Sequence, residues 1–129
     1  MRDYDPKEFK VVALRDCPVP ADMLICETPQ QVADYWRLHI ATHQYFNPDC
    51  ECFVVLLLNT RKRVKGHHLV SIGTMDTVLV HAREVFSVAV TMKAAAIVLI
   101  HNLCAATHKL CYVHHRIMCS HRKECCANK

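Results

Sequence analysis

The sequence predicts a single α/β domain, or a closely related α+β one, with a mixed sheet flanked by helices. Three observations lead there. The chain has 129 residues, about one domain. Two short runs, FVVLLL at 53–58 and AIVLI at 96–100, are continuous, apolar and rich in β-branched residues, the pattern of strands buried on both faces. Stretches of helical spacing alternate with them. Apolar residues make up 52% and charged ones 22%, which excludes an intrinsically disordered chain. A domain of this size buries enough surface to form a core without disulfide staples.

The elements follow in order. FKVVAL (9–14) is a short β-rich run, ended by Cys17-Pro18-Val19-Pro20, which cannot continue a central strand. Thr28-Pro29-Gln30-Gln31 then starts a helix: Thr as N-cap, Pro at the first helical position and Gln at the third form a capping box. Val32, Trp36 and Ile40 recur at helical spacing, so 29–42 reads as an amphipathic helix, with Leu38 off its apolar face. Asn47-Pro48-Asp49 breaks it. After FVVLLL, Asn59-Thr60-Arg61 turns the chain and VKGHHLVSI (64–72) returns as a second strand. Gly73 to Asp76 makes another turn, and Val78-Leu79-Val80 leads to a helix over 83–92 carrying Val85, Phe86, Val88, Ala89 and Met92. AIVLI is the third buried strand, with His101-Asn102 at its end.

Charge and cysteine divide the chain unevenly. Residues 1–102 hold 11 Lys and Arg and 11 Asp and Glu, whereas 103–129 hold five cations against Glu124 alone. The same last segment holds five of the nine cysteines and four of the ten histidines. The net charge of +4 therefore belongs to the tail, not to a basic face of the body. Three segments result: 1–27, an N-terminal strand and Pro-containing segment; 28–102, the main domain; and 103–129, a Cys/His-rich basic tail. The N-terminus MRDYDPKEFK has no apolar signal core, and the longest apolar run, Ala94 to Ile100, is too short to cross a bilayer. A cytoplasmic protein with no membrane partner is expected, with reduced thiols rather than a disulfide framework. Cys17, Cys26, Cys50 and Cys52 read as small buried or half-buried thiols.

Two residues stand where sheets present chemistry. Glu51 immediately precedes one buried strand and His101 immediately follows another. Either alone is equally a solvated or hydrogen-bonded strand-end residue. Taken with their surroundings, FVVLLLNT, GHHLVSIGT, LVHAREVF and AAAIVLIHN, the stretch Glu51 to Asn102 resembles the RadC-like branch of the JAB/MPN (JAMM) metalloprotease superfamily. The helix TPQQVADYWRLHI resembles the segment preceding this domain in short bacterial relatives.

The resemblance implies a cytidine-deaminase-like layered sheet, C-terminally truncated here, and one Zn²⁺ at a centre that hydrolyses peptide or isopeptide bonds. It implies Glu51 as general base, holding the zinc-bound water, and His101 as the first metal ligand. Two imidazoles and a carboxylate leave the fourth zinc position open for a water whose pKa falls towards about 7. The second His of the family's H-x-H falls on Leu103, the motif Ser near Cys111 and the ligand Asp near His114. Leu103 has no donor atom, and LCAATHKLCY replaces the family's Pro/Gly/Ser-rich loop. An impaired activity is expected. The abrupt change at position 103 fits a change of reading frame within the motif, or a decayed copy.

Other roles stay open. His115-x₃-Cys119 and His121-x₃-Cys125 have the spacing of a helical metal pair, though no Cys-x₂₋₄-Cys accompanies them. Arg61-Lys62-Arg63-Val64-Lys65 reads as a solvated turn, or as a weak, salt-sensitive nucleic-acid contact of the kind a DNA-repair-associated protein would make. A non-catalytic interaction module is the remaining alternative.

Overall fold

A computed structural model describes residues 6–73, 80–102 and 110–116, the last through their backbone. Among these residues the order is a 3₁₀ turn (Ala21–Met23), α1 (Pro29–Tyr35) running into a π-helical turn (Trp36–Ile40), β1 (Cys52–Leu58), β2 (Val64–Ile72), α2 (Ala82–Thr91), β3 (Ala96–Asn102) and β4 (Leu110–Arg116). The four strands form one sheet in the order β2-β1-β3-β4. The chain therefore folds as a small α/β domain. No helix among the described residues is long and apolar enough to cross a membrane.

Both helices sit where their apolar faces require. Thr28 Oγ1 accepts a hydrogen bond from the Gln31 amide at 3.3 Å, and Gln31 Oε1 accepts from the Thr28 amide at 3.0 Å, completing the expected capping box. Val32, Tyr35, Trp36 and Ile40 then pack on Cys52, Val54, Leu56 and Leu58 of β1 and on Ala96, Val98 and Ile100 of β3. The opposite face of the same two strands, Val55, Leu57 and Ile97, packs on Val85 and Ala89 of α2. A strand sandwiched between two helices has no solvated face, which explains its unbroken apolar run. The helix ends at Ile40, and in its last turn the Ala41 amide donates to the Trp36 carbonyl at 2.9 Å, an i to i+5 closure. Leu38 is exposed, as its position off the face implies.

The β1–β2 turn is organised by Asn59. Its Oδ1 accepts from the Arg61 amide at 2.9 Å and the Arg63 amide at 3.0 Å, while Lys62 takes a left-handed φ of 58°. Two irregularities of register, at Phe53/Val54 and Leu57/Leu58, bend the hairpin.

Three expectations change. The sheet was expected to be mixed, yet every neighbouring pair of described strands is antiparallel. The β2–α2–β3 connection passes over β1, so β2 and β3 run parallel to each other with β1 between them. The parallel component survives as a split unit and not as an adjacent pair. FKVVAL was expected to be a strand, but forms none, and Phe9 and Leu14 are 86% and 98% exposed. The start of β2 is taken instead by Ile25, which bridges Arg63. The N-terminal segment is tied to the end of the helix through Arg15 Nη2, which donates to the His39 carbonyl at 2.7 Å, and through a 2.8 Å bond between His39 Nε2 and the Pro18 carbonyl. Without a ladder to join, β-propensity does not make a strand. Finally, the domain was expected to stop after its third strand, but Leu110–Arg116 of the tail adds a fourth, paired along the whole of β3. The turn after Gly73 and both His-x₃-Cys pairs of the tail lie partly or wholly outside the described residues.

Candidate functional site at the ends of β1 and β3

Antiparallel pairing brings the start of β1 beside the end of β3. The register sets Phe53 opposite His101, and Glu51 immediately precedes Cys52, the first residue of β1, at that same end of the sheet. The structure thus brings the two sequence-predicted residues together at one corner of the sheet.

His101 stacks on Phe53, with ring centroids 6.3 Å apart and planes 17° from parallel. Its Nδ1 is buried and has no hydrogen-bond partner among the described residues. A buried ring nitrogen left unsatisfied costs free energy, about 1–3 kcal/mol for a typical buried polar group. Glu51 is half-buried, and its carbonyl accepts from the Gly73 amide at 2.7 Å.

Asn102, which sequence reasoning placed only as the end of a strand, turns out to belong to this corner. It is buried, its Oδ1 accepts from the Cys52 amide at 2.7 Å, and its Nδ2 donates to the Cys50 carbonyl at 3.0 Å. The available signal was an amide residue closing an otherwise apolar strand: a buried Asn must find partners for both ends of its amide.

The rest of a metal centre is not gathered here. Among the described residues no three His, Cys, Asp or Glu side chains are grouped to hold an ion. Leu103 lies outside the described residues. The β3–β4 register sets Cys111 opposite His101 and His114 opposite Val98, three positions along β3 and of the other parity. That register does not bring His114 to His101 as a replacement ligand. Cys52 is buried on the α1 face, where burial pushes its thiol up to about 11, and Cys26 is raised likewise. Thiols held protonated are poor ligands and poor nucleophiles; with Cys17 and Cys50 half-buried, the four fit the reading as buried or half-buried thiols. In the basic turn, Lys62 Nζ pairs with Glu27 at 2.8 Å, and Lys65 Nζ donates to the Met92 carbonyl at the end of α2 at 2.5 Å. Two of its four cations thus have partners within the chain.

The family model of the RadC-like JAB domain matches residues 26–110. The chain belongs to the RadC-like JAB domain family. The matched span takes in both helices, β1 to β3 and the corner holding Glu51, His101 and Asn102. The chain is also similar to curated UPF0758 proteins. It is 50% identical over 78 residues to that of Rubrobacter xylanophilus, covering 60% of this chain and 32% of the relative. With the relative from Desulforamulus reducens it shares 46% over 54 residues, covering 42% and 24%. With that from Staphylococcus carnosus it shares 36% over 77 residues, covering 58% and 31%. The aligned part of the RadC-like chain thus spans about a quarter to a third of these relatives' length.

Proposed function

We propose that this RadC-like JAB domain carries one half of a zinc-dependent hydrolytic centre for peptide or isopeptide bonds, and that the other half is missing, so that hydrolysis is impaired. The observation that carries the reading is the buried Nδ1 of His101, which has no hydrogen-bond partner among the described residues, at the end of the sheet where Glu51 precedes β1. An imidazole nitrogen left open suits a metal ligand, and a half-buried Glu at the same corner suits a general base.

The described residues do not fit a complete zinc centre. One imidazole and one carboxylate fall short of the three protein ligands a catalytic zinc needs, and no third ligand joins them among the described residues. No step through zinc follows for this chain. What its own residues supply is a half-buried Glu, an imidazole nitrogen without a partner among the described residues, and the apolar ring of Phe53 stacked on it.

Metal content per chain, measured on purified protein beside His101→Ala, tests the reading, together with an isopeptide cleavage assay. Expected are well under one zinc per chain, lost on dialysis, and no cleavage by either protein. One tightly held zinc that disappears in His101→Ala, with cleavage by the wild type, would show a complete centre and overturn the impairment.

A further inference from the structure

We infer that Asn102 is the positioning residue of Glu51, locking the direction in which that carboxylate leaves the backbone. The inference rests on the reading of Glu51 as the base, but its geometry stands apart from any metal.

Two peptide planes flank the Glu51 α-carbon. The first contains the Cys50 carbonyl, which accepts from Asn102 Nδ2 at 3.0 Å. The second contains the Glu51 carbonyl and the Cys52 amide, which bond to the Gly73 amide at 2.7 Å and to Asn102 Oδ1 at 2.7 Å. A peptide unit is planar, so a residue has only two soft backbone angles, and holding both flanking planes fixes both angles. The direction of the Cα–Cβ bond follows. Glu51, itself half-buried, keeps only its own side-chain rotations. A base has to be both accessible and aimed, and restraining the backbone from behind meets both requirements.

The source of the restraint matters as much as the bonds. Asn102 follows the parity of Ile100 on β3, the α1 side of the sheet, whereas His101 lies on the other face, stacked on Phe53. The clamp therefore takes up no room beside His101. Asn102 is also covalently next to His101, so one peptide link joins the group that aims Glu51 to the imidazole whose Nδ1 has no partner among the described residues. A shift of β3 would carry both together, and their spacing would persist. A β3 ending in an apolar residue would have left the Cys52 amide and Cys50 carbonyl without these partners.

Three proteins decide it by NMR: wild type, Asn102→Leu and Asn102→Asp. Leucine keeps a similar volume and removes both hydrogen bonds. Aspartate can still accept from the Cys52 amide but cannot donate to the Cys50 carbonyl until it is protonated. In Asn102→Leu the Cys52 amide should lose about tenfold or more of its exchange protection, and the Glu51 backbone order parameter should fall from about 0.85 towards 0.6. The Leu56 amide, in mid-strand, should keep its protection. Asn102→Asp, which keeps the acceptor and lacks the donor, should retain the protection of the Cys52 amide and lose Glu51 order only part of the way, a split that a loss of packing does not produce. Unchanged Glu51 order in Asn102→Leu would overturn the assignment even if the melting temperature falls. If Asn102→Leu does not fold, Asn102→Asp decides alone, and Glu51 order equal to that of the wild type refutes the clamp. Failure of the hydrolase reading would show in zinc content and leave these backbone measurements as they are.

Discussion

Acid should weaken this domain through His67, and the effect can be sized from its surroundings. His67 lies on β2 facing α1, with its Nδ1 2.8 Å from the Tyr35 hydroxyl. Burial, followed by the nearby Arg15 and then His39, His43 and His68, lowers its pKa from 6.5 to about 4. Burial likewise pushes the Tyr35 phenol up, so both partners are neutral near pH 7. Above pH 6.5 neither the folded nor the unfolded chain holds a proton at His67, and the group is silent. Between 6.5 and 4 the unfolded chain binds the proton and the folded chain does not, so stability falls as pH falls. A fall from 6.5 to about 4 corresponds to about 3 kcal/mol. The ring is only half-buried, and solvent screening reduces the expected loss to about 1.5–2 kcal/mol. Glutamine at 67 keeps a hydrogen-bonding group for Tyr35 and removes the titration. Urea unfolding at pH 7 and pH 4.5 should show the wild type losing about 1–2 kcal/mol more than His67→Gln. His68, lowered by burial against an opposing pull from Glu84, leaves a smaller slope in both. Equal losses in the two proteins would refute the assignment of the acid sensitivity to His67.

Two further substitutions test the core and its edge. Leu56 is fully buried in mid-strand on the α1 face, so Leu56→Ala should cost about 2–5 kcal/mol in urea unfolding, and a loss under about 1 kcal/mol would mean that this face is loosely packed. Leu14 is almost wholly exposed, and Leu14→Ser should change stability by no more than about 0.5 kcal/mol, whereas a larger loss would show FKVVAL packing on the domain.

Most of the architecture was legible because local signals and packing agreed. The capping box at Thr28 marked the helix start, and the turn residues at Asn59 marked the hairpin. FVVLLL declared a strand covered on both sides, and both α1 and α2 cover it. What could not be read were properties of pairing. FKVVAL has the composition of a strand, yet Ile25 occupies the start of β2, and no periodicity in 9–14 reveals that competition. Strand direction was equally hidden: a helix between two strands suggests parallel neighbours, and only the insertion of β1 between β2 and β3 makes every contact antiparallel. At the site, Glu51 and His101 were visible as polar residues closing apolar runs. The role of Asn102 depends on contacts with Cys52 and Cys50, 50 and 52 residues away in sequence.

The two halves of the family motif also differ in what the fold demands of them. Among the described residues, both core clusters are complete by Ile100 and draw on nothing later. Asn102 closes the sheet corner with its side chain, one residue before Leu103. The described core around β1 therefore draws on residues that precede Leu103, the position where the family resemblance would set a second histidine. A change of frame after Asn102 would leave these residues in place, whereas the same change ten residues earlier would take Ala96, Ile97, Val98 and Ile100 from the two clusters. The coding sequence is decisive. If a shifted frame restores H-x-H and the Pro/Ser/Asp loop directly after Asn102, the tail is a frame change. If no frame restores them, the tail is this chain's own, and the pairing of β4 along β3 is then a replacement for the lost loop and not an accident of it.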